Sequence, residues 1–103
     1  MLTELQNKIL DAFKLNSKTR QKSLKDGSII EYKFVTFMIV SEYVKQICTE
    51  NNEKYPGPRE VKRQLIAMID NGQVGEVFGE PPILMLKEEF DKYVVYQKDR
   101  GVA

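Results

Sequence analysis

The tripeptide Pro56-Gly57-Pro58 constrains this chain more than any other feature, because neither a helix nor an interior strand runs through it. Two proline rings remove backbone donors, and the glycine between them admits angles closed to other residues. The sequence on both sides is helical in pattern. Before the break, Phe37, Val40, Ser41, Val44, Ile47 and Cys48 form one stripe while Glu42, Lys45, Gln46 and Thr49 face outwards, which predicts a helix ending near Asn51-Asn52. After it, Val61, Leu65, Met68 and Ile69 share a face. Pro58 suits a first helical position and Gly72 the positive φ of a helix C-terminus, so this helix is expected from about 58 to 71.

The remaining segments fall around this pair. Leu2, Leu5, Ile9, Ala12 and Phe13 recur at helical spacing, predicting a first helix over residues 2–15. Residues 16–23 show no apolar period and Lys25-Asp26-Gly27-Ser28 is turn chemistry, so a loop is expected there. Ile30, Tyr32 and Phe34 alternate, which suits a short half-buried strand over 29–35 or the start of the following helix. Residues 73–78 and 83–86 bracket Gly79-Glu80-Pro81-Pro82 and read as two antiparallel strands joined by a tight loop. Phe90, Tyr93, Val94 and Gln97 predict a last helix beginning at Lys87, although Val94-Val95-Tyr96 also suits a strand, and the tail from Lys98 is expected to fray.

Composition removes several function classes. Cys48 is the sole cysteine and there is no histidine, so an internal disulfide, a Cys/His zinc site and Cys/His acyl transfer all lack their parts. Cys48 lies on an apolar helix face and reads as core. The longest apolar stretch, Phe37-Met38-Ile39-Val40, is far too short to span a bilayer, and the first eight residues are too polar for a signal peptide; a cytoplasmic protein with no membrane partner is expected. Gly72, Gly75 and Gly79 precede no Gly-Lys-Ser/Thr, so they read as turn glycines. Ile29-Ile30-Glu31-Tyr32-Lys33 resembles half of a metal-dependent nuclease motif, with Asp11 or Asp26 as the conceivable upstream acid. Asp26 is too close, however, and Asp11 sits in a helical pattern. The expectation is therefore no enzyme, no catalytic residue and no cofactor.

A net charge of +1 conceals an uneven distribution. Lys14, Lys18, Arg20, Lys22 and Lys25 lie in a stretch without one acid, which is either a solvated flexible loop or a phosphate-contacting patch. On the helix after the break, 100° per residue sets Arg59, Arg63 and Ala67 opposite the apolar stripe, with Lys62 and Gln64 on the flanks. Such a face suits the major groove: arginine donates twice to guanine, glutamine pairs with adenine and alanine touches a thymine methyl. The plainer alternative is that Arg59, Lys62 and Arg63 solvate a core helix, balanced by Glu60 and Asp70. Glu76 and Glu80 make the following hairpin acidic and poorly suited to phosphate.

The order helix, strand, helix, helix, strand, strand, helix resembles the winged-helix variant of the helix-turn-helix. Residues 58–90 carry the resemblance, above all Leu65-x-x-x-Ile69-x-x-Gly72-x-Val74 followed by a hairpin. The segment from Phe37 to Val77, with Tyr55-Pro56 before a helix rich in Arg and Gln, is also similar to DNA-reading winged-helix domains attached to some restriction endonucleases. The resemblance implies an α+β fold, a winged helix-turn-helix whose helices pack with a small antiparallel hairpin wing, in one domain over 1–103. It also implies a DNA-facing helix, and the leading expectation is a regulator of transcription or replication that binds double-stranded DNA. Arg59, Lys62, Arg63, Gln64 and Ala67 would face the groove, while Lys18, Arg20 and Lys22 touch backbone. The alternative is a protein-interaction module on the same fold, a viral or mobile-element protein that binds a host protein. A homodimer is a further expectation, because Ile83-Leu84-Met85-Leu86 and the stripe of Phe90, Tyr93 and Val94 offer more apolar surface than one small wing requires.

Overall fold

Thr3 starts the first helix through a capping box: its hydroxyl accepts from the Gln6 N–H, and the Gln6 side chain accepts from the Thr3 N–H, both at 3.1 Å. The computed structural model describes residues 2–101. In it, α1 (Glu4–Asn16) is followed by β1 (Lys18–Ser23), β2 (Ile29–Thr36), α2 (Phe37–Glu50), α3 (Pro58–Asp70), β3 (Val74–Val77), β4 (Ile83–Leu86) and α4 (Lys87–Asp99). The strands form one antiparallel sheet in the order β1-β2-β4-β3, so the class is α+β, with four helices and a small four-stranded sheet.

The break between α2 and α3 works as its residues dictate. Gly57 takes φ 99° and Pro58 occupies the first turn of α3. At the other end Gly72 takes φ 84°, its N–H bonding Ile69 O at 3.1 Å while Gln73 N–H bonds Met68 O at 2.9 Å, which satisfies the last carbonyls. Both helices then turn their apolar stripes inwards. Val40, Val44 and Cys48 of α2 and Val61, Leu65 and Met68 of α3 join Ile9, Ala12 and Phe13 of α1, closing on Val35, Val74 and Leu84 of the sheet. Cys48 is buried and free.

The opposite face of the sheet is covered by α4. Tyr32 meets Tyr93 edge to face, with ring centroids 5.5 Å apart, and Phe90 lies beside Tyr93 at 6.1 Å. Gly75 lets α4 approach, since a Cβ there would stand 2.2 Å from the Phe90 ring. Met85 pairs with Gly75 and is fully buried on this same side. The carboxylates of Glu89 and Asp99 accept from the N–H groups of Lys33 and Lys25 at 2.8 and 2.9 Å, fastening α4 along the β1–β2 hairpin.

Three expectations are corrected, and at α4 the strand alternative gives way to the expected helix. Residues 18–23 are a strand, not a loop: β1 buries neither face and so carries no alternation, and it is ordered by β2. Gly27 at φ 89°, with Ser28 bonded to Asp26, closes that hairpin. Val94-Val95-Tyr96 is helical. The tail does not fray at Lys98; α4 reaches Asp99, which is tied to Lys25, while residues 102–103 lie outside the described residues. Finally, the apolar excess of β4 is consumed within the chain. β4 lies between β2 and β3, with Leu84 in the main core and Met85 on the α4 side, and Phe90 and Tyr93 pack on the sheet.

Candidate nucleic-acid interface

With Val61, Leu65 and Met68 buried, α3 turns Arg59, Lys62, Arg63 and Ala67 to solvent. Arg63 is held along its own helix: Nε and Nη2 donate to the two oxygens of Glu60 at 2.9 and 2.6 Å. The Arg63 and Gln64 hydrogen bonds hold the Glu60 carboxyl below its ordinary range, and Glu60 in turn raises the Arg63 guanidinium. Gln64 is half-buried. Its amide donates to Glu60 Oε1 and its carbonyl accepts from Gln6 Nε2, both at 3.0 Å, so this glutamine links α3 to α1. Lys62 leans over the Phe37 ring with Nζ 5.5 Å from the centroid. Among the described residues Arg59 and Lys62 have no carboxylate within ion-pair distance.

The hairpin cations lie elsewhere. Lys18 pairs with Phe34, Arg20 with Tyr32 and Lys22 with Ile30, so all three share the face on which Tyr32 meets α4. The Arg20 guanidinium stacks 4.5 Å from the Phe34 centroid. Tyr96 lies between Lys22 and Arg100, at 5.7 and 5.5 Å. None of Lys18, Arg20 and Lys22 has an ion-pair partner among the described residues. The eight residues read as a DNA-facing set therefore divide in two. Arg59, Lys62, Arg63 and Ala67 lie together on α3, with Gln64 turned towards α1. Lys18, Arg20 and Lys22 lie across the sheet and at its other edge, since α3 packs on β3.

The nuclease-like segment Ile29–Lys33 forms most of β2. Glu31 is bonded to Gln21 and Asp26 to Ser28, and among the described residues no three metal-ligating side chains of His, Cys, Asp or Glu come together.

Sequence reasoning missed an apolar groove of about 400 Å³ between α3 and the β3–β4 hairpin, with Phe37, Leu65, Ile66, Ile69, Pro82 and Leu84 in its lining. Lys62 and Glu76 stand in the same lining. In this lining Met38 is 71% exposed and Ile66 50%, and Phe78, just after β3, is 87% exposed. The available signal was apolar residues at positions that the helical wheel or the turn assigns to solvent: Ile66 off the stripe, and Phe78 beside Gly79.

Comparison with protein-family models, with curated proteins and with solved structures finds no match to this chain.

Proposed function

We propose that this chain is a non-enzymatic, cytoplasmic DNA-binding protein of winged-helix type, a regulator of transcription or replication that needs no cofactor. The observation that carries the reading is the outer face of α3. This helix follows α2 after the Pro56-Gly57 break and presents Arg59, Lys62, Arg63 and Ala67 to solvent, with two of its three cations unpaired among the described residues; we read it as the second helix of a helix-turn-helix pair. The layout accords with it: β2 pairs with β4, β3 and β4 form the wing, and the wing with Glu76 contributes little to phosphate contact. Among the described residues no helix is long and apolar enough to cross a membrane.

The test is binding to mixed-sequence duplex DNA as salt is raised. Affinity should fall linearly on a log–log plot, and Arg63→Ala should lower affinity roughly tenfold while melting like the parent. No binding even at low salt defeats the reading.

The groove favours a second reading, a protein-interaction module of viral or mobile-element origin that binds a host protein. Met38 and Ile66 leave apolar surface in the groove beside the outer face of α3, and Phe78 at the end of β3 adds a further exposed ring. A homodimer under this reading uses this patch, because β4 is already covered on both faces. Under this reading Phe78→Ser abolishes self-association or partner binding without changing the melt.

A further inference from the structure

Only Val35 and Thr36 of β2 pair with β4, whereas β2 pairs with β1 from Ile29 to Phe34. The β1–β2 ribbon thus leaves the four-stranded part of the sheet, and one of its faces carries Lys18, Arg20 and Lys22 in a row. Alternate residues of a strand stand roughly 6.6 Å apart, comparable with the separation of successive phosphates along one nucleic-acid strand. The row is braced rather than free: Arg20 lies on Phe34, and Lys22 and Arg100 clasp Tyr96 of α4. Bracing by ring faces orders the side chains while leaving their charge unneutralised, as no carboxylate among the described residues pairs with these four cations. The nearby acids are spent on other partners. Glu89 takes Lys92 and the Lys33 N–H, Asp99 takes the Lys25 N–H, and Glu31 takes Gln21 from the other face of the ribbon.

We propose that Lys18, Arg20 and Lys22, flanked by Arg100, form a second phosphate-binding surface, so that one chain holds two nucleic-acid segments at once. The proposal rests on the reading of α3 as a DNA face. Its own ground is the placement of the row: on the α4 side of the sheet, at the edge opposite β3, whereas α3 packs on the other side against β3. A straight duplex seated on α3 does not reach that row. The ligand is the phosphate backbone itself, since Phe34 and Tyr96 already have cations over their rings and so offer no free face on which a base could stack.

Two measurements on the full chain test this. In the first, a duplex anchored on beads captures a second, labelled duplex when protein is added. The variant Lys18→Gln/Arg20→Gln/Lys22→Gln should retain binding to the anchored duplex and lose capture of the second at least tenfold. Capture that survives in this variant means that two copies bridge through their α3 faces, and overturns the proposal. In the second, the unmodified protein is treated with a lysine-acylating reagent, with and without duplex, which keeps the test independent of how the variant folds. Protection of both Lys18 and Lys62 is the expected result. Protection of Lys62 alone overturns the second surface and leaves the α3 reading standing. Protection of Lys18 alone defeats the α3 reading and bridging with it, and protection of neither defeats both. Protection of Lys18 by phosphatidylglycerol vesicles but not by duplex overturns the proposal in favour of a membrane surface.

Discussion

The two cationic surfaces are built in opposite ways. The α3 face stands on a helix whose other side is fixed by Val61, Leu65 and Met68, so its outward residues follow from the buried ones by helical geometry alone. The β1 row has no buried side beneath it. Its position comes from β2 through the backbone ladder, and the order of its side chains from Phe34 and Tyr96, residues 14 and 74 positions from Arg20 and Lys22. A surface on a core helix is as stable as the core. A surface on an edge ribbon is as stable as the element that props it, which here is α4.

This contrast breaks most sharply at Leu65, which is 2% exposed under the α3 face. Leu65→Ala should cost about 2 to 5 kcal/mol through the cavity left behind, lowering the midpoint of urea unfolding for the whole chain. A variant as stable as the parent would mean that the α3 surface does not depend on its buried side. The ribbon has a different weak point. Gly75→Ala places a methyl where the Phe90 ring now lies, and should cost about 1 to 3 kcal/mol by forcing α4 off the sheet. Hydrogen exchange should then quicken at β1 and β2 amides more than at α3 amides. Equal loss in both would erase the distinction between the two surfaces.

The same contrast governs how much could be read in advance. The stripes of α1, α2 and α3, the Pro-Gly-Pro break and the positive φ at Gly72 are all local, and each stands within a residue or two of where periodicity and turn chemistry put it. β1 was illegible because Lys18-Thr19-Arg20-Gln21-Lys22-Ser23 has no apolar residue to mark a face; only the turn at Asp26-Gly27-Ser28 hinted that a partner strand preceded β2. Composition cannot reveal that β4 is an interior strand, since its continuous apolar run fits both a doubly covered strand and a dimer seam. At the candidate site the outward turn of Arg59, Lys62, Arg63 and Ala67 was legible, whereas the Glu60–Arg63 clasp, the Gln64 link to Gln6 and the groove depend on side-chain contacts that no wheel displays.

The two faces also differ in how their cations are held, by a carboxylate at Arg63 and by ring faces at Arg20 and Lys22. In the free protein Glu60 occupies the Nε–Nη2 edge of the Arg63 guanidinium and sets a carboxylate on the face offered to DNA. An exposed pair of this kind is weak enough for a phosphate or a guanine to displace, yet it opposes binding twice, by occupying the guanidinium and by repelling the backbone. Glu60→Gln should therefore tighten duplex binding a few-fold, whereas the matched change Glu31→Gln on the ribbon face away from the Lys18 row should leave it nearly unchanged. Because Arg63 and then Gln64 hold the Glu60 carboxyl below its ordinary value, the clasp is fully present at neutral pH and is lost only as pH falls through that lowered pKa. Duplex affinity of the unmodified protein should converge on that of Glu60→Gln in that acidic window, over and above the rise that protonation of the other carboxylates gives both proteins. Fluorescence anisotropy across the acid range measures both curves; parallel curves, or a variant that binds more weakly than the parent, would mean that Arg63 does not meet DNA and that the clasp merely staples the first turns of α3.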